Sequence, residues 1–237
     1  MISVFCVNWG TKYPPHYVHN PQDSVKKHLT YPHTFTVITD TPYLYDNAIP
    51  TTHQLDAWWN KLLLFKQTGN CIYFDLDVII HNSIDWLVDD MTNQMRLIDT
   101  SWKNMKQVIS TPERPSKGIT TINSSVMSWR DETALLDAFL TDPEFHMFKY
   151  GGDDNYYMHN ADYQTHRKGQ VYSYARGASQ DDQKPWEYRK DYSVALFSGT
   201  PKIHDCLNQP IVNDNWGEPP TTNHTGVTIC VNNYVTD

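Results

Sequence analysis

Cys71-Ile72-Tyr73-Phe74-Asp75-Leu76-Asp77-Val78-Ile79-Ile80 is an apolar, β-branched and aromatic run that carries two carboxylates one residue apart. The run reads as a strand buried on both faces. Burying one unpaired carboxylate is costly, and burying two near each other is worse. Asp75 and Asp77 share the i, i+2 side of an extended strand, so at a fraying carboxyl end both reach one hard metal, directly or through water. The plainer alternative is an Asp at a strand end capping the next turn. A pair closing so apolar a run favours a metal or phosphate site, and in an open α/β sheet that end is where ligands bind.

With 237 residues and 39% hydrophobic content, the chain buries a full core as a single domain, 1–237. A formal charge of −8 argues against a general nucleic-acid binder, which needs a basic stripe to neutralise phosphates. Eight Trp and fifteen Tyr supply flat amphipathic rings that suit sugar or base faces as well as cores. Cys6 and Cys71 fall in expected core strands, Cys206 and Cys230 lie late, and there is no Cys-x-x-Cys, so buried thiols in a reducing compartment are expected. The first apolar run, Ile2 to Val7, is too short for a signal peptide's core, and no stretch approaches a membrane span. The expectation is a cytoplasmic protein, in the host cytoplasm for a viral one; the sequons at Asn123 and Asn223 then carry no meaning.

Residues 2–9 form a first strand, followed by a turn-rich loop from Asn8 to Pro15. Phe35 to Thr39 forms a second, ending in Asp40 and a Thr41-Pro42 stop. Strands that end in polar residues with helical stretches between them point to an α/β sheet. Over 54–67, Leu55, Trp58, Trp59, Leu62 and Phe65 recur at helical spacing, Thr51 or Thr52 caps the start, and Gly69-Asn70 ends it. Lys61 flanks that stripe, either as a snorkelling side chain or as a cation aimed at a pocket beside the acidic strand. Further on come a short helical segment at Ile84 to Leu87 and an irregular 99–120 stretch that suits an active-site flap. Residues 119–129 read as a strand broken by the polar triplet Asn123-Ser124-Ser125, and Asp131 to Leu140 as an amphipathic helix. Gly151-Gly152-Asp153-Asp154 sets two acids after two glycines. Val171 to Tyr174 is a short strand, 176–192 a charged mobile loop, and Val194 to Phe197 leads into a Gly/Pro loop carrying Lys202 and His204. In the tail from 208, Trp216 is the anchor.

The carboxylate pair, the cations Lys61 and Lys202, and the acidic triplet Asp153-Asp154-Asn155 need one explanation. A metal held by two carboxylates and flanked by lysines suits a diphosphate leaving group. A separate acid then acts at the carbon or phosphorus attacked.

At these residues the chain resembles glycosyltransferases of the GT-A fold, specifically glycosyltransferase family 8 and its bacterial and viral relatives. The landmarks run in order from about 58 to 205: Trp58-Trp59-x-Lys61, Tyr73-Phe74-Asp75-Leu76-Asp77, Asn123-Ser124-Ser125, Gly152-Asp153-Asp154, and Phe197-x-Gly199-x-Pro201-Lys202. The resemblance implies a mixed central sheet flanked by helices, with a nucleotide-binding part over about 1–80 and an acceptor and catalytic part over about 81–237. It implies a UDP-sugar donor, Mn²⁺ or Mg²⁺, retention of anomeric configuration, and a carbohydrate, lipid-linked or protein acceptor. By position, Val7, Asn8, Trp9, Thr11 and Tyr13 hold the nucleotide and Asp40 contacts uracil. Lys61 and Lys202, with Gly199 in the same loop, serve the diphosphate, Leu76 lies in the donor site between the metal-binding Asp75 and Asp77, and Asn123 and Ser124 contact the sugar. Asp153 or Asp154 works at the anomeric carbon. The family's third metal ligand is a His just before the Gly of the last loop; here Ser198 stands there, and His204 is the available substitute. Two other readings are a haloacid-dehalogenase-like phosphatase with Asp75 as nucleophile, although that motif usually ends a first strand, and a non-catalytic sugar-binding module, which gives no reason for the buried acids.

Overall fold

The structure is a computed structural model that describes residues 1–51, 55, 57–103 and 120–217. Strand β1 (Ile2–Asn8) leads through a Pro-containing turn into helix α1 (His16–His28), then β2 (His33–Thr39) and the short β3 (Ala48–Pro50). A 3-10 helix over Ala57–Lys66 precedes β4 (Asn70–Phe74) and β5 (Val78–Ile80). There follow α2 (Trp86–Asp89), β6 (Met95–Asp99), β7 (Ile122–Arg130), α3 (Ala134–Leu140), α4 (Pro143–Lys149) and α5 (Asp153–Asn160). The chain continues through β8 (Tyr163–Thr165), β9 (Val171–Ser173), β10 (Val194–Leu196) and α6 (Pro210–Asn215). Seven strands form a mixed sheet in the order β3-β2-β1-β4-β7-β6-β8, and three form a small sheet, β5-β10-β9. Strands β2, β1 and β4 are parallel; β7 runs against both β4 and β6.

Strand alternation fills both faces of the large sheet. On β4, Cys71 and Tyr73 join one apolar cluster with Phe5, Phe65 and Trp129, whereas Ile72 and Phe74 join another with Val4, Ile80 and Trp86. A third cluster packs α1 and the tail against the small sheet through Tyr17, Ile79, Tyr172 and Trp216. Cys6, Cys71 and Cys206 are free and buried, as expected.

Several expectations need correction. The run 71–80 is two strands in two sheets. Asp75 N still donates to Ser125 O at 2.8 Å, the chain then turns at Leu76-Asp77, and Phe197 N donates to Asp77 O at 2.9 Å where the small sheet begins. The acids therefore stand at a seam between sheets, not inside one strand. The triplet Asn123-Ser124-Ser125 does not break its strand, because its polar groups have partners on neighbouring elements. Where an α-helix was expected over 54–67, Ala57–Lys66 forms a 3-10 helix, and Trp58 is 52% exposed whereas Trp59 is buried. The 176–192 loop is irregular but tied down, with Trp186 N donating to Tyr174 O at 2.7 Å and Arg189 paired with Asp182. Helix α1 was not foreseen: Tyr17, Val18, Pro21 and Val25 form its buried stripe, but a proline inside the helix and the polar residues around it hide the period. Most of the expected flap, 104–119, lies outside the described residues, as do Thr52, Asn223 and Cys230.

Candidate active site

Strand β1 has β2 on one side and β4 on the other, all parallel, so the chain leaves β1 toward one side of the sheet and later returns on the other. Such a reversal opens a crevice beyond the strands' carboxyl ends. A cavity of about 580 Å³ lies there. Val7, Trp9, Thr11, Lys12 and Tyr13, from the end of β1 and its loop, form part of its lining. Ala57, Trp58 and Lys61 from the 3-10 helix border it too, as do Tyr73, Asp75, Leu76 and Asp77.

Each acid of the pair is matched to its own cation. Lys61 Nζ lies 2.9 Å from Asp75 Oδ1 and 3.1 Å from Asp153 Oδ2, and donates to Ser124 Oγ at 3.1 Å. Tyr73 Oη donates to the same Asp75 Oδ1 at 2.5 Å. Burial would raise the Asp75 pKa, but Lys61 and hydrogen bonds from Tyr73 and Ser125 outweigh it and hold the carboxyl below its ordinary value. Burial likewise works to lower the Lys61 pKa, and the charges of Asp153, Asp75 and Asp154 reverse that, keeping the ammonium protonated. Asp77 Oδ2 is held by Lys202 Nζ at 2.5 Å and by Tyr13 Oη at 3.0 Å. Burial, then the Asp77 charge, push the Tyr13 phenol up, so it stays a donor.

The second acid pair opens α5 directly after Gly152. Asp153 is buried and accepts from Ser124 Oγ at 2.7 Å. Ser124 is itself fully buried, with its hydroxyl between Lys61 and Asp153. Asp154 accepts from Ser124 N at 2.7 Å and Asn123 Nδ2 at 3.2 Å. Its burial and the neighbouring Asp153 charge push its pKa up to about 6. Both acids sit in the first turn, where the helix dipole favours negative charge.

The remaining expected residues lie around this core. Asn8 is buried and donates to Tyr45 Oη at 2.8 Å and Tyr13 O at 3.3 Å, fixing the loop after β1. Asp40, at the end of β2, receives Gly10 N at 3.2 Å. Gly199 occupies the left-handed region at φ 87° in the loop that carries Lys202. His204 is not brought to the acid pair: Tyr17 Oη lies 2.8 Å from its Nδ1, and Asp205 lies 3.6 Å from its Nε2. Among the described residues no group of three or more His, Cys, Asp or Glu is gathered to hold a metal. The sequence reading missed Tyr73, whose hydroxyl points at its own i+2 neighbour, and Lys103, which feels the Asp154 charge. An alternating strand pattern places Tyr73 on the Asp75 side, a signal that was available.

No protein-family model and no curated protein matches the sequence. Solved structures match its fold. Galactosyltransferase LgtC in complex with donor and acceptor sugar analogs superposes with a TM-score of 0.60 at 13% identity, over 89% of this chain and 93% of that one. An active-site mutant of LgtC gives 0.57 at 11% over the same shares. The bifunctional glycosyltransferase WbbM, in its apo form, gives 0.57 at 8%, over 91% of this chain and 51% of its own. The fold is that of the GT-A glycosyltransferases.

Lys61 compensates two nearly buried carboxylates, so Lys61→Met should cost about 3–5 kcal/mol at neutral pH. The Asp75 share of this stabilisation is present above the ordinary carboxylate pKa and is lost as pH falls through the lowered native value, so the deficit should shrink in acid. Denaturant melts of both proteins at pH 7.5 and at successive pH values below the ordinary carboxylate value of 3.8 check this; a deficit independent of pH would contradict the pairing.

Proposed function

We propose that this chain is a glycosyltransferase that moves a hexose from a UDP-sugar to a carbohydrate, lipid-linked or protein acceptor, with retention of anomeric configuration. The supporting observation is the cavity at the β1/β4 crevice, bordered by Asp75 and Asp77, with Lys202 on one acid and Lys61 linking the other to Asp153. In this reading the nucleotide lies along Val7 to Tyr13, with Asp40 at the uracil and the diphosphate toward Lys202. Asp77 holds Lys202 through a single oxygen, an ion pair that a diphosphate of higher charge can replace.

Mn²⁺ or Mg²⁺ on Asp75 and Asp77 belongs to the proposal. Two carboxylates bordering one cavity suit a hard cation that takes its other ligands from diphosphate oxygens and water, which is how Mg²⁺ is commonly held. Such an ion supplies neutralisation of the charge that develops on the leaving diphosphate. The chain's own residues do the rest. As the bond from the anomeric carbon to the β-phosphate oxygen breaks, its electron pair leaves with UDP, and the ammonium of Lys202 favours that charge. The acceptor oxygen bonds to the anomeric carbon and gives up its proton to the departing β-phosphate oxygen, which carries the freed electron pair. Asp154, ionised above about pH 6, opposes the positive charge developing at that carbon.

A panel of UDP-, GDP-, ADP- and CMP-sugars, scored for donor hydrolysis with Mn²⁺ and with EDTA, tests the assignment. Cleavage confined to UDP-hexoses and lost in EDTA is expected; turnover undiminished in EDTA would remove the metal, and cleavage of none would remove the function. For Asp154, kcat should climb as pH rises through about 6. Asp154→Asn should flatten that limb and cut kcat by roughly two or more orders of magnitude with UDP affinity nearly kept. An unchanged pH profile in the variant would assign the acid to structure.

A further inference from the structure

We infer that Trp58 is a platform on which a pyranose ring stacks at the mouth of the cavity, an inference that rests on the glycosyl-transfer reading. Trp58 and Trp59 are adjacent, yet Trp59 is packed between Phe139 and Tyr156 while Trp58 stays 52% exposed and borders the cavity. Three features hold it there. Ala57 adopts φ 44°, a left-handed conformation that a residue with a Cβ enters only under constraint. Asn60 is fully buried and supplies that constraint, its Nδ2 donating to Leu55 O at 2.6 Å and Ala57 O at 3.0 Å. Gly152 completes the seat: a Cβ there would stand 3.2 Å from the indole nitrogen, tighter than ordinary contact.

The indole thus lies against the glycine that opens the Asp153-Asp154 turn, and Lys61, three residues on, borders the same cavity. A side chain needed only for the core would be turned inward like Trp59. A strained, clamped and half-exposed indole beside acids assigned to the anomeric carbon has the chemistry that receives a sugar: a flat apolar face for the ring's C–H groups and an open edge for its hydroxyls. The ring is either the donor's hexose or the acceptor's terminal sugar.

Tryptophan-¹⁵N-labelled protein distinguishes them by two-dimensional NMR, with the Trp58 indole signal identified by its absence in Trp58→Phe. Methyl α-D-glucopyranoside, methyl α-D-galactopyranoside and methyl α-D-mannopyranoside are titrated alone, and UDP-glucose and UDP-galactose are compared with UDP. A shift with a free glycoside places the acceptor sugar on the platform; a shift with a UDP-hexose beyond that with UDP places the donor hexose there. Either supports the inference, and in the affected arm Trp58→Ala should weaken binding roughly three- to tenfold, with Trp58→Phe recovering most of it. A signal unmoved in both arms, or a Trp58→Ala variant that melts lower but binds every probe like the wild type, overturns it. Failure of the wild type to cleave any UDP-hexose would sink the transfer reading separately, because the glycoside titration needs no turnover.

Discussion

Four carboxylates drawn out of water within one site set the terms for this protein. An unpaired buried carboxylate costs several kcal/mol, so Asp75, Asp77, Asp153 and Asp154 cannot all stand near the same cavity without compensation. Lys61 answers two of them and Lys202 a third, while Tyr73, Tyr13, Ser124 and Asn123 supply neutral donors. Among the described residues Asp154 has donors but no cation in contact, and its burial together with the Asp153 charge raises its pKa.

Topology brings these groups together from distant parts of the chain. The reversal of strand order between β2-β1 and β4 opens the crevice, and the break between β4 and β5 drops the first acid pair at its edge. Strand β7 lies beside β4, so its polar triplet reaches toward the turn that opens α5. The loop after β10 delivers Lys202 because β10 pairs with β5, directly after Asp77. A phosphatase built on Asp75 as nucleophile has no such use for a Lys61 bridge to a second acid pair, and a passive sugar-binding module has no use for either pair.

Much of this was legible in the sequence, and the failures have physical causes. The acid pair, both lysines and the Gly-Gly-Asp-Asp turn stood out because charged residues inside apolar or turn-forming surroundings demand partners. The break after Phe74 did not, since Cys71 to Phe74 and Val78 to Ile80 are buried on all sides and an unbroken apolar run carries no periodicity to mark where one strand ends. Asn123-Ser124-Ser125 looked like a break because the acids that satisfy it lie some thirty residues on. Trp58 was assigned to the core from helical spacing; its exposure depends on Ala57, Asn60 and Gly152, no one of which signals it alone. Helix α1 carries a buried stripe of Tyr17, Val18, Pro21 and Val25, but a proline inside it and a largely polar segment around it hid the helical period.

The central claim is that the Lys202–Asp77 pair keeps a diphosphate site charged and ready, with Lys202 transferring its ammonium from the carboxylate to the ligand. Isothermal titration of UDP and of uridine into wild type and Lys202→Ala measures it directly. The account predicts that UDP affinity falls by about tenfold or more, as expected for a lost charge-assisted contact, while uridine binds both proteins alike. Equal weakening of UDP and uridine would contradict it, showing that Lys202 supports the fold of the site and does not hold the diphosphate.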